Sequence, residues 1–379
     1  MSVLKNSRIY AILVAVGLVM TGPAHADDVT RIGVAAPLTG NNAAYGKDIE
    51  NAVKLAVAEA NASNIIVAGK PLKLAVEAGD DQADPRTGVQ VAQQLADKGV
   101  SVVIGHFNSG TTIPASKIYT NAHVPMITPA ATNPTITEQG SQYVFSIIAT
   151  DAQNAGAAGR YAVDVTKAKR IAIIDDRTAF GQGEADEFVK AVTAAHGNIV
   201  DRQYTNDKAV DFSAQLTHIK GQNADLVFFA GLNPQAGMVK KKMKQLGMRA
   251  QFVGGGGVVE PTFLEVAGSD AQGAMAWEYG TPIAALARGK EFEAKYQRKF
   301  GTPMLSYAPF AYDATWAAVK AMQAANSTKP ADFLPKLREQ VYAGITGDIQ
   351  FTASGALTHP STTLYEVVDG KWTSVKTIK

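Results

Sequence analysis

The sequence predicts an α/β protein made of two doubly wound parallel-sheet lobes. Three observations lead there. Short apolar segments alternate with helical periods of 10–16 residues along most of the chain. The alternation starts afresh after about residue 150. Two late strands, Asp348 to Phe351 and Thr363 to Val368, follow a helix-rich stretch, as they do when a chain crosses several times between lobes.

Ile32-Gly33-Val34-Ala35 is the first strand, and Gly46 to Asn61 the first helix, with Ile49, Val53, Val57 and Ala60 on one stripe. Leu72 to Val76 alternates as a strand, and Asp84-Pro85 opens a helix carrying Val89, Ala92 and Leu95. Val100 to Gly105 and Pro125 to Thr128 complete the first series. In the second, Ile171 to Ile174 is a buried strand ending in Asp175-Asp176, and a helix spans about Gly183 to His196. Val200 to Tyr204, Leu226 to Phe229 and Phe252 to Gly254 are further strands, with helices near 212–222 and 234–246. Residues 290–342 are helix-rich, with Phe292, Tyr296 and Phe300 on one face. There is no internal repeat and no low-complexity linker.

The first 26 residues read as an export signal. Lys5 and Arg8 open it, Ile9 to Met20 carries no charge, and Ala24-His25-Ala26 has the small-x-small form at which such signals are cut. A dozen apolar residues are too few to span a ~30 Å hydrocarbon core. No cysteine stands at the cut, so no lipid anchor is expected, and the mature chain, 27–379, is expected to be soluble and exported. The 379 residues are 46% apolar and 18% charged, which suits two or three globular domains and excludes a disordered chain. The formal charge of +2 resides in the signal's two basic residues; the mature chain is neutral, against a nucleic-acid binder. The absence of cysteine removes disulfides, thiolate metal sites and cysteine nucleophiles.

Doubly wound sheets bind ligands outside the carboxyl ends of their strands. The loop after Gly105 reads His106-Phe107-Asn108-Ser109-Gly110, with Ser109 where a loop enters a helix. Its hydroxyl and the helix's free N–H groups suit a carboxylate, and equally suit an ordinary N-cap. The loop Thr128-Pro129-Ala130-Ala131-Thr132-Asn133-Pro134 offers a carbonyl at Ala130 and a hydroxyl at Thr132; a ligand contact and a rigid turn are both open readings. Gly254 to Gly257 lacks the Lys-Ser/Thr of a phosphate loop and reads as a close approach to a ligand or as a mobile loop. The run of Lys240, Lys241, Lys242 and Lys244 reads as a solvated helix face. His106, His123, His196, His218 and His359 have no metal-ligand spacing, so no metal is expected. No G-x-S-x-G and no G-x-G-x-x-G occurs, so neither an enzyme nor a nucleotide cofactor is expected.

Three stretches together resemble the branched-chain (leucine/isoleucine/valine) amino-acid-binding proteins of ABC transporters, which have the type I periplasmic binding fold. They are Ala44-Tyr45-Gly46; Val103-Ile104-Gly105-His106 with Ser109 and Pro114-Ala115-Ser116; and Met126 to Thr132. Arg170 to Ile173, Gly181, Gly183 and Ala224 to Phe229 extend the resemblance over essentially the whole mature chain. It implies a two-lobed clamp with three crossings near 150, 280 and 350, the lobes being 27–150 with 280–352 and 151–279 with 353–379. It also implies that Ser109 and Thr132 hold a ligand α-carboxylate, that the Ala130 carbonyl and Thr132 accept from an α-ammonium, and that Tyr45 lines the cleft. Ala131, Phe180, Gly256 and Tyr307 complete the expected ligand-binding set.

Departures fall mainly in the second lobe. Phe180 and Leu232 stand where the family has tyrosines, and the acid that pairs with the ammonium falls at Gly256. An unpaired ammonium in a closed cleft costs ~3–5 kcal/mol. Either another acid, such as Glu260 or Glu278, replaces it, or the ligand has no ammonium. Ala83 and Asn108 replace a cysteine pair found in some members. The expected function is the periplasmic receptor of an amino-acid ABC system, for branched-chain or other apolar amino acids, acting as a monomer on an inner-membrane permease. The alternatives are a receptor for a keto or aromatic acid, or a sensor that reports to a chemoreceptor or regulator.

Overall fold

The computed structural model describes residues 29–379, so the expected export signal lies outside the described residues. The chain opens with β1 (Val29–Ala36), α1 (Ala43–Ala62) and the small hairpin of β2 (Ile66–Val67) and β3 (Lys70–Pro71). It continues through β4 (Lys73–Asp80), α2 (Pro85–Asp97), β5 (Val102–Gly105), α3 (Ser109–Asn121), β6 (Met126–Thr128), α4 (Thr135–Glu138) and β7 (Val144–Ser146). These strands form one parallel sheet in the order β4-β1-β5-β6-β7. All four residues of β5 are buried, as expected of a strand covered on both faces. Helix α2 starts where its sequence says: the Asp84 carboxylate accepts from the N–H groups of Arg86 and Thr87, and Pro85 occupies the first turn. Gly46 lets α1 press on the loop after β1, since a Cβ there would stand 1.9 Å from the Pro37 carbonyl oxygen. That contact brings Tyr45 to the carboxyl end of the sheet.

The second sheet follows α5 (Asp151–Asp164). It takes β8 (Ile171–Asp175), α6 (Ala179–Ala194), β9 (Ile199–Tyr204), α7 (Ser213–Gly221), β10 (Leu226–Ala230), α8 (Gln235–Gln245), β11 (Gln251–Gly254), α9 (Pro261–Ala267) and β12 (Met275–Tyr279). The chain then returns through α10 (Gly289–Phe300), α11 (Ala308–Ala325), α12 (Pro330–Glu339) and the hairpin of β13 (Tyr342–Ala343) and β14 (Asp348–Ile349). It ends in β15 (Thr362–Val368) and β16 (Lys371–Ile378). The order is β16-β15-β12-β11-β10-β8-β9, parallel from β12 to β9 and antiparallel from β12 to β16. The second sheet is thus mixed, where the sequence pattern suggested parallel strands throughout.

Helices α10 to α12 do not serve the second sheet. Phe292, Tyr296, Met322 and Phe333 share one core with Ile32, Val34 and Ile49 of the first. The backbone passes between the sheets after β7, after β12, and again between Gly355, whose carbonyl accepts from the Ser146 N–H, and Thr362. Among the described residues no helix is long and apolar enough to cross a membrane.

Candidate functional site

The two sheets face each other with the carboxyl ends of β1, β5, β6, β8, β10 and β11 around one cleft. Ser109 is the first residue of α3 and is buried. The residue before it, Asn108, gives no side-chain cap, and its Oδ1 is buried without a partner. The backbone N–H and hydroxyl groups of Thr111 and Thr112 all turn back to the Asn108 carbonyl. The N–H groups of Ser109 and Gly110 and the Ser109 hydroxyl are left at the positive end of a 13-residue helix, an arrangement suited to a carboxylate.

The Thr128 to Thr132 loop is locked to this helix entry from behind. Thr128 Oγ1 donates to the His106 carbonyl at 2.9 Å and accepts from the N–H groups of Ala131 (2.9 Å) and Ala130 (3.3 Å). His106 is wholly buried between Asp81 (Nδ1 to Oδ2, 2.7 Å) and Tyr119 (Nε2 to OH, 3.1 Å). It therefore supports the loops and touches no ligand. Ala130 lines the cleft, whereas the Ala131 methyl packs into the core behind the sheet. The Thr132 carbonyl accepts from the Asp151 N–H, tying the loop to the start of α5.

Beside these polar groups lies an apolar wall. Tyr45 stacks on Phe107 at 5.0 Å, and Tyr307 meets both edge-on at 5.7 and 5.1 Å. Phe107, Ser109, Ala130, Phe180, Leu232 and Tyr307 line a small pocket of about 20 Å³. The lobes are closed over it: Tyr45 OH donates to the Gly257 carbonyl (3.3 Å), and Asn133 Nδ2 to the Ala179 carbonyl (2.8 Å). A larger depression near Arg31, Lys73 and Ser101 lies at the amino ends of the first sheet's strands, away from these loops.

Gly256 contributes its backbone N–H, which donates to Glu184 Oε1 at 2.7 Å. A Cβ there would stand 2.0 Å from the Tyr279 ring, so no side chain fits. The two acids anticipated as replacements are placed otherwise. Glu278 accepts from the N–H groups of Gly257 (2.9 Å) and Tyr279 (3.0 Å), and Glu260 accepts from the Ser306 N–H (3.2 Å). Both line a separate cavity on the crossing side, with Pro309 and Phe310. The pattern reading missed Asp151, Glu184 and Tyr279. Tyr279 OH lies 3.2 Å from both Thr132 Oγ1 and Asp151 Oδ1.

Burial disfavours the charged form of these acids, holding Asp151 up at about 7, Glu260 at about 7 and Glu278 at about 8. A carboxyl raised on folding keeps its proton where the unfolded chain has lost it, so its contribution declines as pH rises through that window. The ligand-free protein is therefore expected to melt several degrees lower at pH 8 than at pH 6 in thermal denaturation. A melting temperature that is flat or higher at pH 8 contradicts these placements.

Two α/β lobes closed over an uncapped helix end, a hydroxyl pair and an apolar wall form a cleft whose chemistry suits a small amphipathic acid. The chain belongs to the periplasmic binding protein family, whose pattern it matches over residues 29–371. Leu/Ile/Val-binding protein homolog 2 of Brucella abortus is 35% identical over 356 residues, covering 93% of each chain. The branched-chain amino acid transporter substrate binding protein LivJ of Streptococcus pneumoniae, solved with isoleucine, is 25% identical with a TM-score of 0.82, covering 92% of this chain and 99% of that one. A solute binding protein of an ABC transporter from Rhodopseudomonas palustris, solved with 3,4-dihydroxy benzoic acid, is 26% identical with a TM-score of 0.81, covering 93% and 98%.

Proposed function

We propose that this protein is the periplasmic substrate-binding component of an amino-acid ABC transport system, taking a branched-chain or other apolar amino acid. The observation that carries this is the juxtaposition of the open α3 N-terminus and Ser109, with Thr132 in the adjoining loop, and the wall of Phe107, Phe180, Leu232 and Tyr307. An α-carboxylate fits the first and an aliphatic side chain the second, and closure excludes water from both. The relatives named for leucine, isoleucine and valine support the same ligand class. In this reading the lobes 27–150 with 280–352 and 151–279 with 353–379 close as bodies. The monomeric, unanchored clamp is released by signal cleavage and docks on an inner-membrane permease.

A receptor for an aromatic acid is the second reading, favoured by the ring-lined pocket and the benzoate-type neighbour. Thermal shift and calorimetry with leucine, isoleucine, valine, phenylalanine and hydroxybenzoates separate the two. An aliphatic amino acid is expected to raise the melting temperature most. Stabilisation by hydroxybenzoates alone transfers the protein to the second reading, and no response to any amino acid refutes the first.

A further inference from the structure

Glu184 and Asp151 are wholly buried, and each has one oxygen committed and one with no partner. Glu184 Oε1 accepts from the Gly256 N–H, while Oε2 is unpartnered; Asp151 Oδ1 meets Tyr279 OH, while Oδ2 is unpartnered. Buried carboxyl oxygens normally have partners, and two orphaned together need explaining. The groups that face Glu184 electrostatically are Asp151, Glu278 and Asp176, with no lysine or arginine among them; Glu187 adds to the field at Asp151. The missing positive charge has no source in the described protein around the pair.

The glycine run accounts for the position of Glu184. A Cβ on Gly255 would stand 2.1 Å from the Glu184 carboxyl carbon and both its oxygens, so that glycine is the hollow in which the carboxylate lies. At Gly256 the space for a side chain is filled by Tyr279. A Cβ on Gly183 would approach Asn133 Nδ2 at 2.4 Å and Asp151 Oδ2 at 3.3 Å. Small residues at 183 and 255 thus leave room for the two carboxyls at the edge of the Thr132 loop.

We propose that Glu184, seconded by Asp151, receives the ligand's α-ammonium in this cleft, the negative charge reaching the site from helix α6 and not from the loop after β11. The inference rests on the amino-acid reading above. An ammonium has three N–H donors. Beside the Ala130 carbonyl and the Thr132 hydroxyl, Glu184 Oε2 and Asp151 Oδ2 are the unpartnered acceptors this chain offers them. Burial holds both carboxyls above their ordinary range without a ligand, as expected of two acids lacking a counter-ion. An entering ammonium supplies that charge.

The test is calorimetry of the mature protein and its Glu184→Gln variant with leucine and with the keto acid of leucine, which differs in lacking the ammonium. The amide oxygen of Gln keeps an acceptor for the Gly256 N–H, so the loop stands. Wild type is expected to prefer leucine, and E184Q to lose roughly 100-fold in leucine affinity while holding the keto acid as well as wild type or better. Its ligand-free melting temperature is expected to stay near that of wild type, because burial already holds Glu184 toward its neutral form and Gln keeps the acceptor for the Gly256 N–H. Leucine affinity within about threefold of wild type overturns the proposal, as does an equal loss of both compounds. A wild type that prefers the keto acid, or binds neither, refutes the amino-acid reading itself, before the variant is considered.

Discussion

Replacing Ser109 and Thr132 together with alanine is expected to lower leucine affinity at least ~100-fold while leaving the protein folded. Each hydroxyl would donate to a carboxylate inside a closed cleft, and a hydrogen bond to a charged group contributes about 1.5–3 kcal/mol. The fold depends little on either. Thr132 holds α5 through its carbonyl, and Asp151 N–H keeps that bond in the variant. Ser109 Oγ accepts only a long contact, 3.3 Å, from the Asn133 N–H. Tyr279 OH, losing Thr132, still has Asp151 Oδ1 within 3.2 Å. Calorimetry with leucine, beside a melting curve, reads both quantities. Binding within tenfold of wild type in a folded double variant places the carboxylate elsewhere.

The first half of this site was legible because it is local. Ser109 and the Ala130 to Thr132 run each lie within a few residues of a strand's carboxyl end, where composition and turn chemistry speak directly. Their meeting follows from the adjacency of β5 and β6. The acids were not legible for the opposite reason. Glu184 sits in the first turns of an amphipathic helix and reads as a solvated position. It is buried only because α6 packs on a glycine loop 72 residues away. Asp151 opens α5, whose buried positions are mostly alanine and glycine and give little periodic signal. Tyr279 ends β12, Met-Ala-Trp-Glu-Tyr, a strand whose glutamate masked its buried character. The one available hint was the density of glycine at 181, 183 and 254–257, since glycine on two facing segments leaves room for something large between them.

The absence of an acid at Gly256 left two readings open, another acid in its place or a ligand without an ammonium. The Glu184 proposal takes the first, from a helix and not from Glu260 or Glu278. Tyr279 occupies the volume a side chain at 256 would need, and the carboxylate approaches the same loop from the other side, bonded to the Gly256 N–H itself. A residue's identity at one position is therefore a poor guide to ligand charge when a neighbouring helix can supply the same group to the same space.

Asp81→Ala is expected to destabilise the first lobe by about 2–4 kcal/mol, although Asp81 is not among the cleft residues. Asp81 and His106 are wholly buried, and Asp81 Oδ2 is the acceptor 2.7 Å from His106 Nδ1. With Tyr119 OH at Nε2, the network assigns the proton to Nδ1 and leaves Nε2 accepting. Removing the carboxylate strands a buried N–H donor and also frees the Ala83 N–H, which Asp81 Oδ1 accepts. The consequence reaches the site through one atom. The His106 carbonyl anchors Thr128 Oγ1, and that hydroxyl sets the Ala130 and Ala131 N–H groups that orient the ligand loop. Tyr119→Phe removes only one neutral hydrogen bond and is expected to cost about 1 kcal/mol, with leucine affinity nearly unchanged. Urea unfolding of both variants, with calorimetry on each, separates the effects. A D81A protein within about 1 kcal/mol of wild type would show that the loops hold their shape without His106, and that the Ser109 and Thr132 pair is positioned by the strands alone.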